Sequence, residues 1–136
     1  MKRILAIDYG MRRVGLAVTD LMQMIAQPLE TIDNRNIIDY LKAYMQKEPV
    51  ETIVLGEPKD LSGMDTDSSE GVRQFKTKLQ ELFPAIPVVM VDERLTSRMA
   101  KQTLIDAGYK KSHRRNKKLV DTVAAALILQ TYLETK

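Results

Sequence analysis

The stretch "ILAIDYGMRRVGLAVTD", residues 4–20, decides how the chain begins to fold. Four apolar residues open it, and a second apolar run follows a short turn at residues 14–19. A continuous apolar run is typical of a strand that is covered on both faces, and Gly10 can supply the positive φ of a tight turn. We therefore expect an antiparallel hairpin. Asp8 is the exception, because it places a carboxylate at the end of a strand that is otherwise apolar.

Beyond the hairpin, the pattern of apolar residues changes between the periods of strands and helices. It predicts further strands near 28–32, 51–58 and 86–93, and helices near 33–48, 72–82, 96–107 and 116–132. The resulting order is β-β-β-α-β-α-β-α-α. It predicts an α/β fold in which a mixed central sheet of about five strands starts as an antiparallel hairpin, continues as parallel βαβ units and is flanked by helices. We expect residues 1–136 to form a single domain.

The composition limits the classes of protein that the chain can belong to. Its 136 residues are 44% hydrophobic and 29% charged, which is enough for one core. The absence of cysteine excludes disulfides and thiolate metal sites. The basic N-terminus is followed by an apolar run that ends at Asp8 and is too short for a signal peptide or a membrane span. We therefore expect a soluble, cytoplasmic protein without membrane contact.

The positive charge is concentrated in one segment. Residues 110–118, "KKSHRRNKK", hold six of the 21 basic residues and no acid, which leaves 15 basic against 18 acidic residues elsewhere. Such a segment is either a solvated loop or an anion-binding patch, and its self-repulsion favours the patch. His113 is interpreted as part of it rather than as a catalytic base. The predicted nucleic-acid contacts in this segment are Lys110, Lys111, Arg114, Arg115, Lys117 and Lys118.

Carboxylates stand at the ends of predicted core elements. Asp8 ends the first strand, Asp92 and Glu93 end the last strand, and Asp121 lies in the second turn of the last helix. Sites in parallel α/β sheets form at the carboxyl ends of the strands. Because side chains alternate along a strand, Glu93 shares a face with Val91, whereas Asp92 points to the opposite face.

Three acids brought together would repel one another unless a cation separates them. Ligation by carboxylate oxygens alone selects Mg²⁺ or Mn²⁺ over zinc. Each acid also has a plain structural interpretation: Asp8 as a turn cap, Asp92 as an ion-pair partner or helix cap, and Asp121 as a boundary or solvent-facing residue.

Three motifs make the chain similar to a known family. "AIDYGMRRVGLAVTD", "VDERLTS" and "KKLVDTVAAALILQTYL" resemble, in order, the YqgF-type family of bacterial RNase H-like nucleases, and the resemblance runs from residue 2 to 133. It implies an RNase H-like fold, with Asp8, Glu93 and Asp121 as catalytic residues and ligands of two Mg²⁺ or Mn²⁺ ions. The family usually carries a Gly-Leu-Pro-like motif where this chain has Gly56-Glu57-Pro58, and we interpret Glu57 as an exposed loop residue rather than a further site acid.

The resemblance also implies an activity. Members of the family are described as Holliday-junction resolvase-like proteins and as pre-16S rRNA nucleases, which implies hydrolysis of phosphodiester bonds by metal-activated water. The substrate implied first is a ribosomal RNA precursor, with ribosomal particles as partners, and branched DNA comes second. Arg12, Arg13 and Arg94 stand next to the acids and are candidate phosphate contacts. The sequence does not indicate the oligomeric state, and it predicts a connecting loop over 60–71.

Two other classes of protein remain open at this point. The hairpin also looks like the phosphate-binding hairpin of the sugar-kinase and actin group of ATPases, but these clamp nucleotide between two such domains, and the chain has no Walker motif. The other class is a non-catalytic RNA- or ribosome-binding module on the same scaffold. The presence of all three acids favours the enzyme, because a binding module would not need them.

Overall fold

The computed structural model describes residues 1–58, 69–92 and 117–135, with side chains described from Thr122 onward in the last range. The predicted helix at 96–107, most of the predicted loop at 60–71 and residues 110–116 lie outside the described residues. Residues 69–71 belong to a helix rather than to that loop. The strands are β1 (Arg3–Asp8), β2 (Arg13–Thr19), β3 (Ala26–Asp33), β4 (Val50–Glu57) and β5 (Val88–Asp92), and the helices are α1 (Ile37–Lys47), α2 (Ser69–Leu82) and α3 (Lys117–Thr135).

The five strands form one sheet in the order β3-β2-β1-β4-β5. β2 pairs antiparallel with both β1 and β3, whereas β4 pairs parallel with both β1 and β5. The predicted mixed sheet, with the first strand in the centre, is confirmed. Because β1, β4 and β5 run in the same direction, all three end at the same edge of the sheet.

One face of the sheet is covered by α1 and α2. Leu5 and Ile7 of β1 are fully buried on this face. The apolar residues of "IIDYLKAYM" in α1 face this side of the sheet. Pro84 lies two positions after the last residue of α2. The helix side chains that are buried in this cluster are Ile37, Leu41, Val72, Phe75 and Leu79.

The other face is covered by α3. Ile4, Ala6 and Ala17 lie on this face with Val54, and the small alanine side chains allow the helix to approach the sheet closely. The sequence pattern predicts that Val123 and Leu127 belong to the buried stripe of this helix, but both are only half-buried. Among the side chains described from Thr122 onward, the buried ones are Ala124, Ala125, Ile128 and Leu129, so this part of the helix turns its alanines rather than Val123 towards the sheet. None of the described helices has the length and apolar character needed to cross a bilayer.

Thr19, the last residue of β2, lies at the end of the sheet opposite the candidate site. Its side chain is fully buried, and its hydroxyl accepts a 2.9 Å hydrogen bond from the buried backbone N–H of Ile4. We expect Thr19→Val, which keeps the shape but leaves that N–H without an acceptor, to lower the free energy of unfolding by about 1–3 kcal/mol. Thr52→Val is the matched control, because Thr52 is buried on the same face and its hydroxyl bonds to none of the other described residues. Urea unfolding measures both, and equal losses would contradict the role of the hydroxyl.

Candidate functional site

Asp8 is the last residue of the central strand. The residues before it, Ile4 to Ile7, are all 0% exposed, whereas Asp8 itself is half-buried. Alternation along β1 places Asp8 on the α3 face with Ile4 and Ala6. Tyr9 packs on the opposite cluster and stacks on Phe75, with 4.3 Å between the ring centroids. The strand end is therefore packed on both sides, and Asp8 is the first polar side chain after the buried run Ile4–Ile7.

The neighbouring strands place no side chain beside Asp8 on its own face. Asp8 pairs with Gly15 of β2, and because Ile7 pairs with Leu55, the next residue of β4 beside Asp8 is Gly56. Both glycines are buried. A glycine inside a strand commonly marks a place where a ligand or another backbone approaches closely. The positions directly beside Asp8 on both neighbouring strands thus carry no side chain.

The first turns of α3 lie near the row of paired residues that crosses the sheet from Asp8 through Gly15 to Thr31. Gly15 pairs on its other side with Thr31 of β3, and the Thr31 hydroxyl is hydrogen-bonded to the hydroxyl of Thr122. Asp121 is the preceding residue of α3, in its second turn as predicted and one turn before the buried Ala125. The backbone therefore brings the Asp121 position to the Thr31–Gly15–Asp8 row, while its side chain lies outside the described part of the chain.

Asp92, the described acid at the end of β5, lies on the side of the sheet opposite to Val91. Val91 packs on the α3 side, whereas Met90 packs on the side of α1 and α2. Asp92 alternates with Val91 and is exposed. This agrees with the predicted alternation, which groups Glu93 with Val91; Glu93 itself lies outside the described residues.

Glu57 does not share the face of Asp8. Its Cα partner in the sheet is Asp92, and it alternates onto the side of Ile53 and Leu55, under α1 and α2. Its side chain is half-buried rather than fully exposed. The position nevertheless agrees with the interpretation that Glu57 is not a further acid of the Asp8 site.

Of the three predicted metal ligands, Asp8 is the one whose side chain is described. Within residues 1–58, 69–92 and the described side chains of α3, no three His, Asp or Glu side chains form a cluster that could hold a metal ion. Asp8 fits a hard divalent cation, because it offers carboxylate oxygens at a rigid strand end. The side chains of Glu93 and Asp121 lie outside the described set.

The predicted phosphate contacts are partly described. Arg12 is exposed on the β1–β2 turn, and Arg13 is half-buried at the start of β2, on the α3 face two residues from Gly15. Arg94, Lys110, Lys111, Arg114 and Arg115 lie outside the described residues, and so do the side chains of Lys117 and Lys118, whose backbone opens α3.

Several residues of this edge were not identified from the sequence. The amide of Asn34 donates a 2.6 Å hydrogen bond to the carbonyl of Gly10, and its backbone N–H donates to the carbonyl of Arg12 at 2.8 Å. Asp33 caps the 3-10 turn Asn34–Asn36, and its hydrogen bond and charge raise the pKa of Arg35. The isolated glycines within "VGLAV" and "IVLGE" were the sequence signal that could have revealed that Asp8 lies between two glycines in the sheet.

Gly10 is required in the turn for a steric reason. Its φ lies outside the left-handed region, so the expected positive φ is wrong. A Cβ at this position would instead lie 2.5 Å from the carbonyl oxygen of Arg13, which is backbone and cannot move aside. The close approach of two backbone segments, rather than a special dihedral angle, explains the glycine.

The architecture defines the class to which the chain belongs. A five-stranded mixed sheet with β1 in the centre and helices on both faces is the RNase H-like fold. RuvC from Thermus thermophilus, in complex with a Holliday junction substrate, has this fold with a TM-score of 0.60 and 17% sequence identity, over 99% of this chain and 96% of that one. A second structure of T. thermophilus RuvC matches with a TM-score of 0.54.

Sequence comparison gives the family. A family model described as "RuvX: Holliday junction resolvase" matches residues 2–135, so the chain belongs to this family, and the YqgF-type resemblance is confirmed. Proteins named "Putative pre-16S rRNA nuclease" are similar along the full length. The one from Flavobacterium johnsoniae is 48% identical over 136 residues, covering 100% of this chain and 99% of that protein. The one from Porphyromonas gingivalis is 48% identical over 134 residues, covering 98% and 97%.

The turn geometry makes a prediction about two glycines. We expect Gly10→Ala to lower the free energy of unfolding by about 1–3 kcal/mol, because the added methyl group forces two backbone segments apart. Gly71→Ala in α2 is the control: its Cβ would meet Met11 and Tyr9 at ordinary distances of 3.5 and 3.8 Å, and alanine favours the helix by about 0.5–1 kcal/mol. Urea unfolding measures the difference, and a Gly10→Ala protein as stable as the wild type would contradict the contact.

Proposed function

We propose that this protein is a metal-dependent nuclease that hydrolyses phosphodiester bonds. The observation that carries the proposal is the position of Asp8. A half-buried carboxylate follows the fully buried run of the central strand, between glycines of the two neighbouring strands. Placing a carboxylate there is costly unless a partner compensates for its lost hydration. Membership of the RuvX family and the RNase H-like fold support a nuclease.

In this proposal Asp8, Glu93 and Asp121 converge and hold two Mg²⁺ or Mn²⁺ ions. When bound, such a pair of ions activates a water molecule and stabilises the leaving oxygen. The role of Asp8 is to hold its carboxylate in a fixed direction, since it is attached to a strand that is packed on both faces. Arg12, Arg13 and Arg94 neutralise the phosphates around the scissile bond.

The substrate that we propose is a precursor of 16S ribosomal RNA, cut near its 5′ end in the cytoplasm, where ribosomal particles are assembled. The support is the name of the relatives at 44–48% identity along the full length. The alternative is a branched DNA junction, which the description of the family model favours. Cleavage assays with both substrates decide between them. A protein that binds RNA or ribosomal particles but cuts neither substrate would instead be a binding module.

The central test is Asp8→Asn. The substitution keeps the shape of the side chain and removes its charge, and we expect it to lower the metal-dependent cleavage rate by at least about 100-fold. Even residues that only support metal ligands cost 10–100-fold when they are changed. Without metal, thermal stability should be unchanged or slightly higher, because repulsion among the acids is relieved. Nuclease assays and melting curves with and without Mg²⁺ or Mn²⁺ measure both effects.

The control for this test is Asp39→Asn, which removes the same charge from an exposed position in the first turn of α1. It should cut at the wild-type rate and gain the same stability from metal as the wild type. If Asp8→Asn also cuts at nearly the wild-type rate, Asp8 is not a metal ligand. If it loses stability instead, Asp8 serves as a turn cap.

The basic segment 110–118 makes a separate prediction. Replacing Lys110, Lys111, Arg114 and Arg115 by alanine should weaken nucleic-acid binding and reduce its salt dependence. Each lost phosphate contact lowers the slope of log K against log salt by about 0.7 for a single strand and 0.9 for a duplex. Fluorescence anisotropy across a salt series measures the slope.

Four exposed lysines elsewhere provide the control for total charge. The variant that replaces Lys2, Lys42, Lys47 and Lys78 by alanine loses the same four charges from exposed positions outside the segment. It should retain most of the salt slope. If both variants reduce the slope equally, the segment 110–118 is an ordinary solvated loop.

A further inference from the structure

A second concave feature lies on the same edge of the sheet as Asp8, on the side of β3. It is an open pocket of about 460 Å³ between the β1–β2 turn and the turn that follows β3. Its volume lies within the usual range of about 300–1,000 Å³ for small-ligand sites, which is enough for one nucleotide. The residues that line it are Met11, Arg12, Arg13, Asp33, Asn34 and Arg35.

Hydrogen bonds join the two turns that form this pocket. Asn34 bonds to the carbonyls of both Gly10 and Arg12, at 2.6 and 2.8 Å. Asp33 accepts from the backbone N–H of Arg35 at 2.9 Å and from its guanidinium at 3.0 and 3.1 Å. The backbone positions of the arginines are therefore fixed relative to β1, and thus relative to Asp8.

The charge of the pocket favours an anion. Three guanidinium groups face one carboxylate, and the side chain of Arg35 remains 87% exposed despite its ion pair with Asp33. Planar guanidinium groups match the geometry of phosphate oxygens better than any other side chain. Met11, which is 75% exposed at the rim, offers an apolar surface next to this charge. A ligand with both a phosphate and an apolar face, such as a nucleotide, has this combination of properties.

The sheet register sets the distance from the pocket to the candidate catalytic position. Arg13 lies on the same face as Asp8 and is its diagonal neighbour on the adjacent strand, because Asp8 pairs with Gly15. Diagonal neighbours in a sheet are about 7–8 Å apart. A strand bound at Asp8 therefore reaches the pocket with its next nucleotide.

We propose that this pocket is a subsite for the nucleotide next to the scissile phosphate, and that Arg35 is a phosphate-binding residue. The nucleic-acid strand then passes from Asp8 across Arg13 towards β3. This inference rests on the proposed nuclease function, since Asp8 defines the scissile position. It adds Arg35 to the substrate-binding residues and Asn34 as a positioning residue, and it gives the bound strand a direction over the sheet.

The experiment measures binding without cleavage. In an Asp8→Asn background, oligouridylates and oligothymidylates of increasing length are titrated by fluorescence anisotropy across a salt series. Arg35→Ala should weaken binding of the longer oligonucleotides about fivefold at low salt, which is the upper end for an exposed ion pair. It should reduce the salt slope by about 0.7, the value for one phosphate contact on a single strand.

Two further variants separate a phosphate contact from a general effect of charge. Lys42→Ala removes one positive charge from an exposed position on α1 outside the pocket, and it should leave the slope unchanged. Arg35→Lys keeps the charge and should therefore have the salt slope of the protein with Arg35. It should recover only part of the affinity, because lysine lacks the planar guanidinium that can donate two parallel hydrogen bonds to a phosphate.

The outcomes distinguish this proposal from the proposed function. If Arg35→Ala and Lys42→Ala have the same effect at every length, the subsite does not exist. If the wild type cuts nucleic acid but Arg35→Ala binds unchanged, the nuclease stands and the subsite is overturned. A wild-type protein that neither cuts nor binds nucleic acid would overturn both.

Discussion

The rest of the structure depends on the burial of β1 on both faces. Its neighbours in the sheet are β2 and β4, and its side chains alternate between two hydrophobic clusters, so the segment from Ile4 to Ile7 has no exposed surface. No polar side chain fits in such a strand without an internal partner. Asp8 occupies the first position at which this constraint ends. The carboxylate is thus attached to the end of a strand run that is fully buried, and the α3 face is the side to which alternation directs it.

The same constraint explains why the candidate site is spread along the sequence. A parallel sheet brings the ends of β1, β4 and β5 to one edge, although their residues are far apart in the chain. The antiparallel hairpin adds the turn arginines to that edge, and α3 returns across the sheet to bring its first turns to the row of Asp8. Local sequence therefore sets the direction of each side chain, and topology sets which of them meet.

Much of the fold was predictable from the sequence because its signals are local. The apolar run before Asp8 and the helical spacing of Ile37 and Leu41 predict elements that the structure confirms. The side of α3 that packs against the sheet was predicted only in part. Helical period alone could not show that the sheet presents Ala6 and Ala17, against which the alanines of the helix pack more closely than Val123 would.

The candidate site was predictable to a different degree. The position of Asp8 followed from a carboxylate in an apolar run, and the position of Asp92 on the face opposite to Val91 followed from alternation. The glycines beside Asp8 and the role of Asn34 were not predicted. Both depend on the register between strands and on contacts between distant turns, which a sequence pattern does not contain. The convergence of Glu93 and Asp121 with Asp8 stays a prediction.

The docking of α3 has a consequence for the way in which the protein folds. The β1–β2–β3 meander is made of contacts that are close in sequence and can form early. The face that carries Ile4 and Ala17, however, stays open to water until a helix that begins at Lys117 arrives. A chain that has completed its sheet but not this step exposes a flat apolar surface, the kind of surface that promotes aggregation. The same step brings the backbone of Asp121 to the row of the sheet that contains Asp8, so this part of the candidate site cannot form before the core does.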